Sequence, residues 1–475
     1  MTHTTVPAAE GAPVGPAPLH YRLHEVPRPF PKALGLGLQH VLTMFGATVA
    51  VPLLLGPAMK MDAAQIAVLV SSVMICSGIA TFLQVRFGTR LPIIQGVSFA
   101  FLGPFFAIIA ATGGGAETMR YLAGAILGGA LVEIFVGYST LFGRLRRLLS
   151  PVVVGPVIAL IGLALFDVGA PQAGRDWKLA GVVIACAFLF SLVLAPRSRF
   201  FSMFPILLAV VIAYGLAVVL TLTGFYGAGD AGRVSFEAVA SAPWLRSPGS
   251  LVFPWGLPKF DLGFFLAVLA GYLASMIESF GDYYAIARAC DEPEPSAAQV
   301  NRGIGAEGLG CLFTGIFGGF ASTSYTENIG LVALTKVASR YVTYVAAALL
   351  VLLGLVAKVG AAIATIPSPI VGGLYCTLFG LIAAIGISFA ARADLSSQRN
   401  LMIIGFSLFM GLSLPAYFKG VPSLGFEPVQ LTFAAAPWLA NMAQTVGSTS
   451  MAVAAICGLV LDNLIPGTDR ERGLA

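Results

Sequence analysis

From Leu34 onward the chain is a succession of apolar runs separated by short clusters of charge, glycine and proline. A helix needs roughly 20 apolar residues to cross a hydrocarbon core about 30 Å thick, so each run reads as one crossing. Bounded by charges and turn residues, the runs fall at 34–55, 63–84, 93–112, 121–141, 151–168, 178–195 and 201–224. A second set follows at 263–287, 303–319, 327–337, 341–362, 369–390, 401–415 and 446–464. The pattern predicts an all-α membrane protein of about fourteen transmembrane segments.

The basic residues test this count, because Lys and Arg collect in alternate short loops on the cytoplasmic side. Arg86 with Arg90, Arg144 with Arg146 and Arg147, Arg197 with Arg199, Arg288 with Arg302, Lys336 with Arg340, and Arg392 with Arg399 fall in every second connection. Both termini then share the cytoplasmic face of an inner membrane, and the polar stretch from Gly224 to Phe260 lies outside. That stretch divides the chain into halves of seven crossings. An odd number reverses the second half relative to the first, so a seven-plus-seven inverted repeat is expected.

Composition narrows the functional classes. The chain is 57% hydrophobic and 10% charged, against about 25% charged for a soluble domain. The formal charge of +5 is dispersed over short loops, which fits membrane orientation and argues against nucleic acid as a partner. Six cysteines are scattered without a CxxC pair, so neither zinc nor redox chemistry is indicated. No nucleophile elbow or phosphate loop is present, which argues against a membrane enzyme. Residues 1–31, rich in Pro and Ala and without a cleavable signal pattern, read as a disordered cytoplasmic tail.

In transporters with inverted repeats, matching interrupted segments in the two halves point to the binding site. Here these are the third and tenth segments. Gln95-Gly96-Val97-Ser98-Phe99 and Ala321-Ser322-Thr323-Ser324-Tyr325-Thr326-Glu327-Asn328 place polar and small residues at membrane depth. Each should form a short strand followed by a half-helix. Extended backbone exposes N–H and C=O groups that lipid cannot satisfy, so both must face protein or water. The half-helices would turn their positive ends to the bilayer centre.

Ionisable groups inside crossings are costly and default to function. His40 lies in the first segment, Glu278 and Asp282 in the eighth, Glu307 in the ninth and Glu327 at the second break. Glu278 and Asp282, four apart, share one helix face. Two carboxylates so close in a poorly solvated place should not both stay ionised, so one binds a proton or shares a cation. Asp282, Glu307 and His40 are therefore the candidate ion-coupling groups, with interhelical pairing the other role open to Glu307 and His40. Glu278 and Glu327 offer acceptors, the backbone of the breaks beside Ser98 and Thr326 offers donors and acceptors, and Phe99 and Tyr325 offer flat apolar faces. A small planar heterocycle with alternating N–H and C=O edges satisfies this set. An anion would meet two negative charges, which counts against an anion exchanger or channel on the same architecture.

At these residues the sequence resembles the nucleobase/ascorbate transporter family, over nearly the whole chain after the tail. The resembling elements are Gln39-His40-Val41-Leu42-Thr43-Met44-Phe45-Gly46, Gln95-Gly96-Val97-Ser98-Phe99 and Glu278-Ser279-Phe280-Gly281-Asp282-Tyr283-Tyr284-Ala285. The most specific is Glu327-Asn328-Ile329-Gly330-Leu331-Val332-Ala333-Leu334-Thr335-Lys336. The resemblance implies a core domain (32–141 and 263–362) that rocks against a gate domain (142–262 and 363–466), a short cytoplasmic tail at 467–475, and a homodimer. It further implies that Glu278 and Glu327 hold the base, that Phe99 lies beside it, that backbone near Thr326 completes the edge contacts, and that Asn328 supports the site.

Two departures shape the expectation. The eighth segment is most similar to animal ascorbate carriers, yet those carry Pro where this chain has Glu327, and a carboxylate there fits a neutral base and opposes ascorbate. Bacterial uracil permease carries His at the position of Asp282, so the coupling site differs. The expected function is symport of uracil, or a purine such as xanthine, with a proton and without a cofactor. Sodium-coupled nucleobase or ascorbate transport is the alternative, since hard oxygen ligands suit a hard cation.

Overall fold

The computed structural model describes residues 18–139, 141–421, 425–433 and 437–474. Among them nine helices are long and apolar enough to cross a membrane, and shorter apolar helices complete the pattern. Segments 1 (Phe30–Ala58), 2 (Ala63–Arg86) and 4 (Gly115–Tyr138) are continuous helices. Segment 3 consists of strand β1 (Gln95–Val97), a 3-10 turn (Phe99–Phe101) and the half-helix Leu102–Thr112. Segment 5 is Pro151–Leu163 followed by Phe166–Ala173, segment 6 runs from Trp177–Phe188 into a π-helical end at Leu189–Leu194, and segment 7 is Pro205–Leu222. In the second half, segments 8 (Leu262–Ala289) and 9 (Ala297–Phe317) precede segment 10, made of strand β2 (Ser322–Ser324) and the half-helix Thr326–Thr335. Segments 11 (Arg340–Leu355), 12 (Ser368–Ala390), 13 (Gln398–Lys419) and 14 (Ser450–Leu464) close the chain. The expected helical membrane fold, with short strands and half-helices in segments 3 and 10, is what forms.

Several helix starts are written locally. The Asp62 side chain accepts from the Gln65 N–H at 2.8 Å, and Gln65 accepts in return from Asp62 at 3.1 Å, closing a capping box. Asp261 caps segment 8 through the Phe264 N–H at 3.0 Å, and Ser296 caps segment 9 through the Gln299 N–H at 3.3 Å. Ser296 explains why segment 9 starts at Ala297, six residues ahead of the apolar run that betrays it.

The helices pack in two sets. Segment 4 lies on 9, segment 2 on 9 and 11, and segment 1 on 11, while segment 5 lies on 12 and 14, segment 13 on 14, and segments 6 and 12 on each other. Glycine permits close approaches between these helices: a methyl built on Gly137 would stand 2.2 Å from the Gly305 nitrogen, and one on Gly308 would stand 2.8 Å from the Ile134 nitrogen. Backbone cannot yield as a side chain does. Gly137→Ala should therefore destabilise the protein by about 1–3 kcal/mol through overpacking, read as a lower unfolding temperature of the purified protein in detergent; an unchanged temperature would show that segments 4 and 9 do not meet there.

Beyond the earlier start of segment 9, the crossing at 341–362 and the N-terminal tail differ from the sequence expectation. The expected crossing at 341–362 breaks at Val356, because the polar stretch folds back onto it: Arg246 N–H donates to Leu355 O at 3.0 Å and Ala357 N–H to Trp244 O at 3.0 Å. The helix resumes at Ala357–Ala364, where Lys358 donates to Val239 O at 2.7 Å. The disordered tail expected over 1–31 is corrected for residues 20–25, residues 1–17 lying outside the described residues. His20 N–H donates to Lys336 O at 2.8 Å, Ala338 N–H to Tyr21 O at 2.9 Å and Arg340 N–H to Leu23 O at 3.1 Å. Lys336 turns left-handed with φ 59° and ends the half-helix, so this strand-like pairing satisfies backbone that the turn leaves open. The C-terminal residues also pack down, with Arg472 paired to Asp462 at 2.7 Å and Asn400 donating to Glu471 O at 2.8 Å.

Candidate substrate and ion site

The two broken segments meet. β1 pairs antiparallel with β2, Gln95 opposite Ser324, Gly96 opposite Thr323 and Val97 opposite Ser322. Ser98 N–H to Ala321 O and Tyr325 N–H to Ile94 O, both 3.0 Å, extend the pairing at each end. Thus the backbone groups exposed by each break are satisfied largely by the other, which lipid could not do. Both half-helices start from this strand pair.

Tyr325 serves the scaffold. Its buried ring lies against Gly96, where a built methyl would stand 2.5 Å from the ring, and its hydroxyl donates to Val97 O at 2.9 Å and accepts from Thr48 at 3.3 Å. The flat face expected for a ligand is covered by the opposite strand. Ser98 is likewise buried, its hydroxyl accepting from the Ala100 N–H at 3.2 Å. Phe99 is only half-buried and stands edge-on to Phe379 of segment 12, ring centroids 6.1 Å apart, with Phe379 stacked on Tyr375. The sequence reading missed this aromatic pair, although Tyr375 and Phe379 are four apart and so share a helix face.

The carboxylates separate into two layers. Glu278 is half-buried and Glu327 exposed, and Glu278 lies within electrostatic reach of Asp282, Glu327 and Glu307. Glu327 opens onto a cavity of about 260 Å³ lined also by Thr43, Met203, Ile206 and Leu334. Met203 and Leu334 also line a larger cavity, of about 550 Å³, reached by Lys32 and Arg199. A crevice therefore runs from Glu327 toward the arginine-rich end, between segments 1 and 10 on one side and the start of segment 7 on the other. A separate cavity of about 680 Å³ lies between the half-helix Leu102–Thr112 and residues of segment 5, the end of segment 13 and the stretch leading into segment 14, among them Asp167, Lys419 and Gln444.

Behind the open layer lies a closed one. Asp282, 5% exposed, accepts from Ser324 at 2.6 Å and from the exposed Thr326 at 3.0 Å. Ser279 donates to Glu307 at 2.5 Å and stands 3.0 Å from both the Thr323 and Ser324 hydroxyls, while Tyr283 also donates to Glu307 at 3.1 Å. One network thus joins segments 8, 9 and 10. His40 and Asn328 form a second contact, the Asn328 amide donating to His40 Nδ1 at 3.1 Å and to His40 O at 3.0 Å, both residues buried. His40 is therefore tied to segment 10 and does not join the carboxylate network through any of these bonds.

Glu133 of segment 4 was missed in the sequence. It is fully buried, and neither carboxylate oxygen has a hydrogen-bond partner among the described residues. Its signal, a carboxylate inside the apolar run 121–141, is the same one that marks Glu278 and Glu307. Among the described residues no group of three or more His, Cys, Asp or Glu is placed to hold a metal ion.

A helical membrane protein whose two interrupted segments pair strand to strand, and whose Glu327 opens onto a crevice between helices, is a multi-pass membrane transporter. Residues 31–420 match the model described as Permease family. The chain belongs to the nucleobase/ascorbate permease family, whose members are transporters and not enzymes. Solute carrier family 23 member 2 of Homo sapiens is 37% identical, over 96% of this chain and 76% of its own length. Nucleobase-ascorbate transporter 2 of Arabidopsis thaliana is 34% identical, over 94% of this chain and 88% of its own. Among solved structures, the transmembrane domain of the cyanobacterial bicarbonate transporter BicA superposes with a TM-score of 0.55 at 17% identity, covering 82% of this chain and 97% of that one. SLC26A9 superposes with a TM-score of 0.58 at 12% identity, covering 92% of this chain and 66% of that one. At such identities these two structures speak for the fold alone.

Proposed function

We propose that this permease is a symporter of the inner membrane, both termini cytoplasmic, that imports a nucleobase, uracil or a purine such as xanthine, together with a proton. The observation that carries the reading is the open carboxylate layer: Glu278 and Glu327 come from different segments, lie within electrostatic reach of each other and keep solvent access. Two acceptors, with the half-exposed Phe99 ring offered by the other break, suit a neutral planar ring with N–H donors. Glu278, Glu327 and Phe99 would hold the base, with backbone at Ser98 and Thr326 offering edge contacts and Tyr325 and Asn328 supporting them.

Movement follows from the packing. The core (32–141 and 263–362) would rock against the gate (142–262 and 363–466), opening in turn the crevice at Glu327 and the cavity beside Leu102–Thr112. The Phe99–Phe379 contact bridges the two, and a homodimer would anchor the gates.

Glu327→Gln is expected to reduce uptake of radiolabelled uracil and xanthine into proteoliposomes about tenfold, the cost of weakening one charge-assisted hydrogen bond. Unchanged uptake of both bases would remove Glu327 from the site. A sodium-coupled nucleobase or ascorbate carrier is the second reading, favoured by the hydroxyl oxygens of Ser324 and Thr326 gathered on Asp282. Uptake with and without sodium, and competition by ascorbate, separate the two.

A further inference from the structure

Glu133 and Glu307 lie at the close contact between segments 4 and 9. Gly308, next to Glu307, packs against Ile134, next to Glu133, and the two carboxylates act on each other electrostatically. Both residues are 0% exposed. Both oxygens of Glu133 and Oε1 of Glu307 lack a hydrogen-bond partner among the described residues.

Among the described residues, the surroundings hold no compensating cation at hydrogen-bond distance. From segment 9, Glu307 and Cys311 face Glu133; from segment 8, Tyr272 and Tyr283 do. The half-helix of segment 3 has no titratable side chain, and Arg302 lies further along, toward Tyr138. Glu307 is faced in addition by Asp282 and by the hydroxyls of Ser279 and Thr323. Two bare carboxylates in such a place would cost several kcal/mol each. A single proton removes one charge and supplies a donor for an oxygen that otherwise has none.

We propose that Glu133 and Glu307 form a proton-holding site of the core, one proton shared between two carboxylates, joined to the crevice through Ser279, Ser324 and Asp282. The proposal deepens the proton-coupled reading and rests on it. The connection is continuous: Thr326, exposed beside Glu327, bonds Asp282, Asp282 bonds Ser324, Ser324 lies 3.0 Å from Ser279, and Ser279 bonds Glu307. With a proton on Asp282, each hydroxyl can donate toward Glu307. Asp282 gives its proton to Ser324, Ser324 gives its own to Ser279, and Ser279 gives its own to Glu307, so one proton enters and one arrives. The base need not touch the pair, because its carboxylates stand at the other end of the same wire.

The test uses the whole chain in proteoliposomes, without sodium and in a parallel arm with a sodium gradient, with radiolabelled uracil and xanthine. A gradient of one pH unit should concentrate a base about tenfold when one proton is coupled to it. Glu133→Gln, which resembles the neutral acid in shape, should keep base counterflow at equal pH and lose this accumulation, the ratio falling to about one. Infrared spectra of the wild type at neutral pH should show the carbonyl band of a buried neutral carboxylic acid, lost in Glu133→Gln. Accumulation by Glu133→Gln equal to wild type, sodium-driven accumulation indifferent to pH in the wild type, or no such infrared band overturns the proposal. The wild-type spectrum needs no variant to fold. Absence of counterflow of either base in the wild type overturns the nucleobase reading instead, and the spectra still decide the proton site.

Discussion

Glu278→Gln is expected to weaken uracil or xanthine binding about 10- to 100-fold, the larger of the losses predicted at the open layer. A hydrogen bond to a charged group contributes about 1.5–3 kcal/mol, and each 1.4 kcal/mol is about a factor of ten. Gln keeps the shape and one acceptor but loses the charge. The fold should survive, since Glu278 is half-buried and accepts no bond that secures another segment. Equilibrium binding of both bases to purified protein, measured beside the unfolding temperature, checks this: a normal temperature with lost binding is expected. Intact binding would mean that the ring is held elsewhere in the crevice.

Asp462→Ala should give the largest loss of stability. This carboxylate is buried at the foot of segment 14, where Arg399 meets it at 2.9 Å, Arg472 at 2.7 Å and the Ser150 hydroxyl at 2.7 Å. Removing the acid leaves two largely covered guanidinium groups without their counter-charge, and breaking a buried pair from one side costs about 3–5 kcal/mol. The expected readouts are a clear fall in unfolding temperature and faster tryptic cleavage near Arg472, because that residue ties the C-terminal residues to Asp462 and Asn463 of segment 14 and to the Arg147 carbonyl. Replacing Arg472 by Leu as well should recover part of the loss. If the single variant unfolds and resists trypsin like the wild type, the network holds nothing together.

The legibility of the site followed the range of the physics. Glu278, Asp282, Glu307 and Glu327 could be found because a carboxylate within an apolar run is costly wherever the helix ends up. Their grouping could not. The half-exposed Phe99 and the covered Tyr325 look alike as aromatic residues beside a break, and only the pairing of β1 with β2 puts one at the crevice and the other under Gly96. His40 looks like an ion ligand until Asn328, 288 positions away, is seen to bind it. Glu133 carries the same local signal within the run 121–141, but its meaning depends on which residue of segment 9 it meets.

What the sequence determined by itself is the membrane, the number and order of crossings and the two interruptions. These depend on run length, on alternating basic loops and on backbone groups that lipid cannot satisfy, all properties of neighbouring residues. The tertiary structure alone decided which carboxylates stay open to water and which are sealed behind a hydroxyl network, and it ordered residues 20–25 by pairing them with a distant turn. Burial and hydrogen bonding between segments depend on contacts among residues far apart in the chain, and those contacts exist only once the two halves have packed.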